Sequence, residues 1–175
     1  MSQEIGKIER PLADDFKAGR KLFFTPLIFP GKELPAEFQE KYARYWEQVE
    51  SQIASLESKL GPVNRIYHEL VPESGKEGLE SLKQLHVNSL QIIQGRLEKG
   101  ASLEATEDKE ILNELMDLSR CLSLGLQSQK VFSTLYELYT ETAKKRNEYI
   151  SRKINETLKE NEIAVFIMAE GHQVK

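Results

Sequence analysis

Val63-Asn64-Arg65-Ile66-Tyr67-His68-Glu69-Leu70 reads as a short buried strand that delivers His68 and Glu69 to one edge of a sheet. Gly61-Pro62, a helix stop, stands directly before it. The helix stopped there is the plainest pattern in the chain. After Pro35, which suits a first helical turn, Phe38, Tyr42, Tyr45, Trp46, Val49, Ile53, Leu56 and Leu60 recur at helical spacing over about six turns. Further back, Leu22–Phe29 (LFFTPLIF) is a continuous apolar run of the kind found in strands buried on both faces. Pro26 removes a ladder donor and places this strand at an edge or a bend. Strand, helix and strand joined by short connections predict a right-handed βαβ unit whose two strands form a parallel pair.

Downstream of Leu70 the period changes to that of helices. Ser74 followed by Glu77 is a capping-box pattern opening a helix through Leu79, Leu82 and Leu85. Ser89 to Lys99 reads as a second helix closed by Gly100, and Thr106 opens a third through Ile111, Leu115, Leu118 and Leu122. Gly125 marks a bend or a stop, after which Gln127 to Glu160 resumes the helical pattern. Asn161 suits a C-terminal cap, and Ile163–Met168 (IAVFIM) reads as a third buried strand. Near the start, Ala13 to Ala18 suits a short helix. The predicted fold is α/β and helix-rich, with a small, mainly parallel three-stranded sheet flanked by long helices. It forms a single domain over residues 1–175, with 1–20 an irregular N-terminal arm and an end at Lys175 that reads as a cut from a longer protein.

Composition narrows the function classes. Hydrophobic residues make up 39% and charged residues 30%, values of globular rather than disordered chains. The net charge of -4 and the lack of a basic stripe argue against nucleic acid as a partner. Cys121 is the one cysteine, so no intramolecular disulfide can form, and a cytoplasmic setting is expected. No apolar run reaches the length of a membrane span, so no membrane partner is expected. Walker, GxGxxG and paired CxxC patterns are absent, and Cys121–Gly125 (CLSLG) lacks the first glycine of a nucleophile elbow.

Four side chains stand out as candidate chemistry. His68 and Glu69 end one strand, and Glu170 and His172 follow another. In a parallel sheet both ends lie on one side, where ligands bind. There the four could converge as a metal or acid/base site. His68-Glu69 begins like HExxH, but Pro72 stands where the second histidine belongs. Adjacent strand residues also point to opposite faces, so the pair needs a bend to share one ion. The competing reading makes His68 a hydrogen-bonded core histidine, Glu69 a loop or cap carboxylate, and Glu170 to Lys175 a frayed end. Glu104, Glu107 and Asp108 suit a helix N-terminus. Lys144 to Arg146 suit a solvated face, with Arg146 turned to a pocket as the variant reading. Cys121 reads as a small core residue.

A strand, a long helix, a strand ending in glutamate, several helices and a strand running into Gly-His resembles the TraB/ChaN/erythromycin-esterase-like superfamily. Arg65–Leu70 (RIYHEL) would supply Glu69 as the strand-end glutamate. Ala169-Glu170-Gly171-His172 would be the late GxxH motif with alanine for its first glycine, and Glu141–Ile154 is similar to the helix before it. The early strand lacks the histidine of that pattern. The resemblance implies an α/β sheet with a metal- or ligand-binding edge.

Two expectations of function follow. The first is a metal- or small-ligand site at the C-terminal edge of the parallel sheet, hydrolase-like if catalytic. Glu69 and His172 would then bind a divalent metal or activate water, with His68 or Glu170 as the second acid/base group. The second is a non-catalytic helical interaction protein whose long helices pair with a partner or a second copy, for which Tyr136 and Tyr139 beside Leu135 and Leu138 are the sequence hint.

Overall fold

Helix α1, Ala36–Leu60, follows Pro35 and stops at Gly61, whose φ of 109° is a conformation side-chain-bearing residues rarely adopt. The chain then enters β2, Arg65–His68. The computed structural model describes residues 18–29 and 35–169. Over these it forms β1 (Lys21–Pro26), α1, β2, α2 (Gly75–Leu85), α3 (Val87–Leu97), β3 (Ser102–Leu103), α4 (Lys109–Ser123), α5 (Gln129–Thr157) and β4 (Ile163–Met168). The expected short helix at Ala13–Ala18 and most of the N-terminal arm fall outside the described residues.

The protein is α/β and helix-rich as expected, with four strands among the described residues rather than three. The added strand, β3, is two residues long and carries no apolar run to announce it. All pairings are parallel, in the order β1-β4-β2-β3. The expected β1–β2 pair is therefore corrected: β4, last in the described chain, lies between them, with Phe166 opposite both Phe24 and Tyr67.

The strand order dictates the layers. Passing from β1 to β2 and from β2 to β3 moves across the sheet in one direction, and from β3 to β4 moves back. Right-handed crossovers then put α1, α2 and α3 on one face and α5 on the other. The cores agree. On the first face Trp46, Ile53, Leu82, Ile92 and Ile93 pack on Ile66, Val165 and Ile167. On the second, Ile150, Ile154 and Leu158 of α5 pack on Tyr67, Ala164, Phe166 and Met168. All six residues of β4 are buried, which explains its unbroken apolar sequence. β1 is an edge strand, which is where Pro26 is tolerated, and its Leu22 and Phe24 are exposed because one helix cannot span that face.

That second face is thinly covered because much of α5 lies elsewhere. Arg146 sits level with the end of β2, and the 17 residues of α5 before it run on past the sheet for about 25 Å. α4 runs out beside them, tied by Thr142 donating to Glu114 at 3.1 Å. The expected choice at Gly125 resolves as a stop, with φ 70° in the turn between the helices. From Met116 to Glu141 this hairpin has no buried side chain. No helix among the described residues is long and apolar enough to cross a membrane.

Candidate functional site at the C-terminal edge of the sheet

β2 and β3 are neighbours whose following segments leave toward opposite faces, to α2 and to α4. Such a divergence opens a crevice at strand C-termini in doubly wound sheets. Here the two exits are stitched together. Val71 O accepts from Thr106 N at 2.9 Å and Glu107 N at 3.2 Å, Leu70 N donates to Glu107 Oε1 at 3.2 Å, and His68 N donates to Thr106 Oγ1 at 3.2 Å. Leu70 adopts φ 67° to make the bend. His68, Glu69, Thr106 and Glu107, at this edge, are all buried.

His68 and Glu69 part to opposite faces, as strand geometry predicts. Glu69 turns to the α5 side, where Arg146 Nη2 stands 3.6 Å from its carboxylate and the Ala169 backbone donates to it. Burial nevertheless raises its pKa above the ordinary carboxylate range, Arg146 opposing. Glu107 takes Arg146 more fully, its carboxylate accepting from Nε at 2.9 and 3.0 Å and also from Nη2. Burial opposes the Arg146 charge, but hydrogen bonding and attraction from Glu107, then Glu69, hold its pKa above the ordinary value. The expected solvated face is therefore corrected for Arg146: it is 3% exposed and clamps α5 to the sheet edge. The acidic cluster divides three ways. Glu107 joins this clamp, Asp108 caps α4 by accepting from Glu110 N and Ile111 N, and Glu104 pairs with Arg65.

His68 turns to the α1–α3 side into a chain of polar groups. Its Nδ1 meets Glu69 O, so that nitrogen carries the proton, and Nε2 accepts from Ser89 Oγ at 3.1 Å. His86 Nδ1 accepts from Ser89 N at 3.2 Å, capping α3, while His86 Nε2 lies 2.8 Å from Tyr42 Oη and 3.1 Å from Ile28 O. Trp46 packs against the His86 ring at 4.9 Å. Burial lowers the His68 pKa to about 4 and also lowers that of His86, so both are neutral at pH 7. Here His68 is a hydrogen-bonded core histidine.

Parallel pairing of β2 with β4 puts Glu69 and Ala169 on one edge, as expected, whereas Glu170 and His172 lie outside the described residues. The described donors do not fit a divalent cation beside Glu69, because a guanidinium occupies its vicinity and His68 faces the other layer. Among the described residues no three His, Cys, Asp or Glu side chains gather as a metal set. A separate groove of about 490 Å³ lies between α1 and α3, lined by Trp46, Glu47, Glu50, Asn88, Gln91 and Arg96 among others. Trp46 Nε1 and Arg96 Nε are buried donors with no hydrogen-bond acceptor among the described residues. Sequence reasoning missed this groove, since Trp46 entered as one residue of the apolar helical spacing after Pro35 and Arg96 carried no motif. Cys121 is half-buried on α4.

Comparison with models of protein families, with curated proteins and with solved structures finds no match to this chain.

Proposed function

We propose that this is an interaction protein, in which an α/β body holds out the α4–α5 hairpin as a docking surface. The observation that carries the reading is the apolar hairpin beyond the sheet. Leu124 is 76% exposed and Tyr136 54%, with Met116, Val131, Phe132 and Leu138 also exposed. A two-helix hairpin needs one seam, here Leu135 and Tyr139, which are half-buried. At 100° per residue, the apolar arc from Leu138 through Leu135 to Tyr136 spans about 160°, wider than a single partner helix covers. Contiguous exposed apolar surface of this kind marks interaction sites.

The test replaces Val131, Phe132, Tyr136 and Leu138 together by Gln and follows thermal unfolding and hydrophobic-dye binding at high dilution. A docking surface predicts a melting temperature within about 2 °C of the parent and weaker dye binding. A fall above about 5 °C would mean these side chains belong to the fold's own core.

A second reading, a small-ligand site, draws on the α1–α3 groove, whose wall sets Trp46 beside Glu47, Glu50, Asn88, Gln91 and Arg96. Trp46 is the one tryptophan, so its fluorescence reports on that groove directly. A metabolite screen that moves this emission in the parent but not in Arg96→Met supports the site; no response across carboxylates and amides removes it.

A further inference from the structure

We infer that His86 is a proton-operated latch: charging its ring frees the first turn of α3 and opens that end of the α1–α3 groove. The latch needs neither the docking surface nor a bound ligand. His86 is the elbow between α2 and α3. Its N donates to Leu82 O at 2.9 Å to end one helix, and its O accepts from Leu90 N at 3.1 Å to begin the next. Its side chain is also the α3 cap. α4 and α5 are capped by oxygen acceptors of the usual kind, the Asp108 carboxylate and the Ser128 hydroxyl. At α3 the acceptor is a ring nitrogen, Nδ1, whose lone pair is free only while the imidazole is neutral.

The surroundings are built for the neutral ring. Because Nδ1 accepts from Ser89 N, the ring proton sits on Nε2, which meets Tyr42 Oη at 2.8 Å and Ile28 O at 3.1 Å. A proton added at Nδ1 turns the cap acceptor into a second donor facing Ser89 N. Ser89 Oγ, 3.0 Å from Nδ1, can accept that proton while still donating to His68 Nε2, but Ser89 N then loses its acceptor. The new charge also stands at the positive end of α3, where a cation is disfavoured. Around the ring, α1 presents Tyr42 and Trp46, the exit of β1 presents Ile28 O and Phe29, and α2 presents Leu82 O. α3 presents Ser89, with His68 of β2 behind it. Tyr42 and His68 are the titratable groups of this set, and a charge on His86 opposes a charge on His68. Among the described residues no carboxylate pairs with the ring. Burial adds to this by lowering the His86 pKa, so protons favour the open elbow once the pH falls below about 6.5. Trp46 packs on the ring and shares the groove wall with Asn88 and Gln91, so a freed first turn widens the groove beside it.

The experiment is amide hydrogen exchange of the full chain at pH 7 and pH 5, with and without urea well below the unfolding midpoint. The parent is compared with His68→Gln and His86→Asn; asparagine is a good cap and does not titrate. If His86 titrates near 6.5 in the open elbow, the open population rises by up to about 25-fold between the two pH values. Protection of the Ser89 amide should therefore fall toward pH 5 in the parent, and by up to that factor in His68→Gln. Urea should leave the Ser89 rate nearly unchanged while it speeds exchange in β4, because a local opening exposes little surface. In His86→Asn the fall should disappear. A parent whose Ser89 protection does not fall overturns the inference, as does an equal fall in His86→Asn. Loss of the response in His68→Gln would move the switch to His68, and a Ser89 amide that follows β4 in urea would replace local release by global unfolding. Should His86→Asn fail to fold, the His68→Gln and urea comparisons still decide.

Discussion

Lowering the pH from 7 to 5 should destabilise this protein through His68. Unfolded, the imidazole titrates near 6.5; folded, burial holds it to about 4. Between those values the unfolded chain binds more protons, so stability falls as pH falls through the window. It is unaffected by this group above the upper limit and levels off below the lower one. With these two values the loss between pH 7 and pH 5 is about 2 kcal/mol, and by pH 4 about 3 kcal/mol. His86, also lowered, adds in the same direction. Glu69 acts oppositely, because its folded pKa is raised and the penalty on its charged form is relieved as pH falls. Urea unfolding of the parent and of His68→Gln at both pH values separates these. Glutamine can still donate to Glu69 O and accept from Ser89, and it does not titrate. The other groups cancel in the difference, so the parent should lose about 2 kcal/mol more than the variant. Equal losses would refute the placement of a neutral His68 in the core.

Arg146→Met should cost about 3–5 kcal/mol in urea unfolding at pH 7, because Glu69 and Glu107 would be left buried without their cation. Adding Glu69→Gln and Glu107→Gln to that variant should recover part of the loss, and a cost below about 1 kcal/mol would show the clamp to be dispensable. Gly78→Ala puts a methyl 2.2 Å from Glu73 O and 2.9 Å from Val71 Cγ1, so the start of α2 must shift, at about 1–3 kcal/mol. Gly95→Ala, with nothing within 4 Å of the new methyl, should instead gain up to about 1 kcal/mol from helix propensity. Thermal melts of the two variants should move in opposite directions.

The fold was legible where periodicity was long or a strand was buried on both faces. α1, α5 and β4 announce themselves by apolar spacing, and Pro26 correctly marked an edge. β3 was invisible because it is two residues long, paired to Arg65 and Ile66 with Leu103 alone buried in the core, too short to show a pattern. The neighbour of β1 was misjudged because short connections suggest adjacency, and no local signal tells β2 that a strand nearly a hundred residues later will come between. At the sheet edge, the alternation rule placed His68 and Glu69 on opposite faces. The partners that define their states, Ser89, Glu107 and Arg146, come from other segments and share no motif with them. Arg146 within a lysine-rich run looked like surface, because composition does not reveal which turn of a long helix meets a sheet.

The central place of β4 governs the order in which this molecule can assemble. Emerging from synthesis, Lys21–Pro26 has no strand to pair with until Ile163–Met168 exists, about 140 residues later. α1, β2, α2, α3 and β3 can gather meanwhile, since β2 and β3 pair with each other and share that helical face. The closing step then threads one wholly apolar strand between two waiting edges. Bringing ends that distant together costs about 1 kcal/mol more than a β1–β2 closure would. Until then β1 and the open edge of β2 are exposed to other chains, the interval in which this protein is most open to misassembly and to the help of a chaperone.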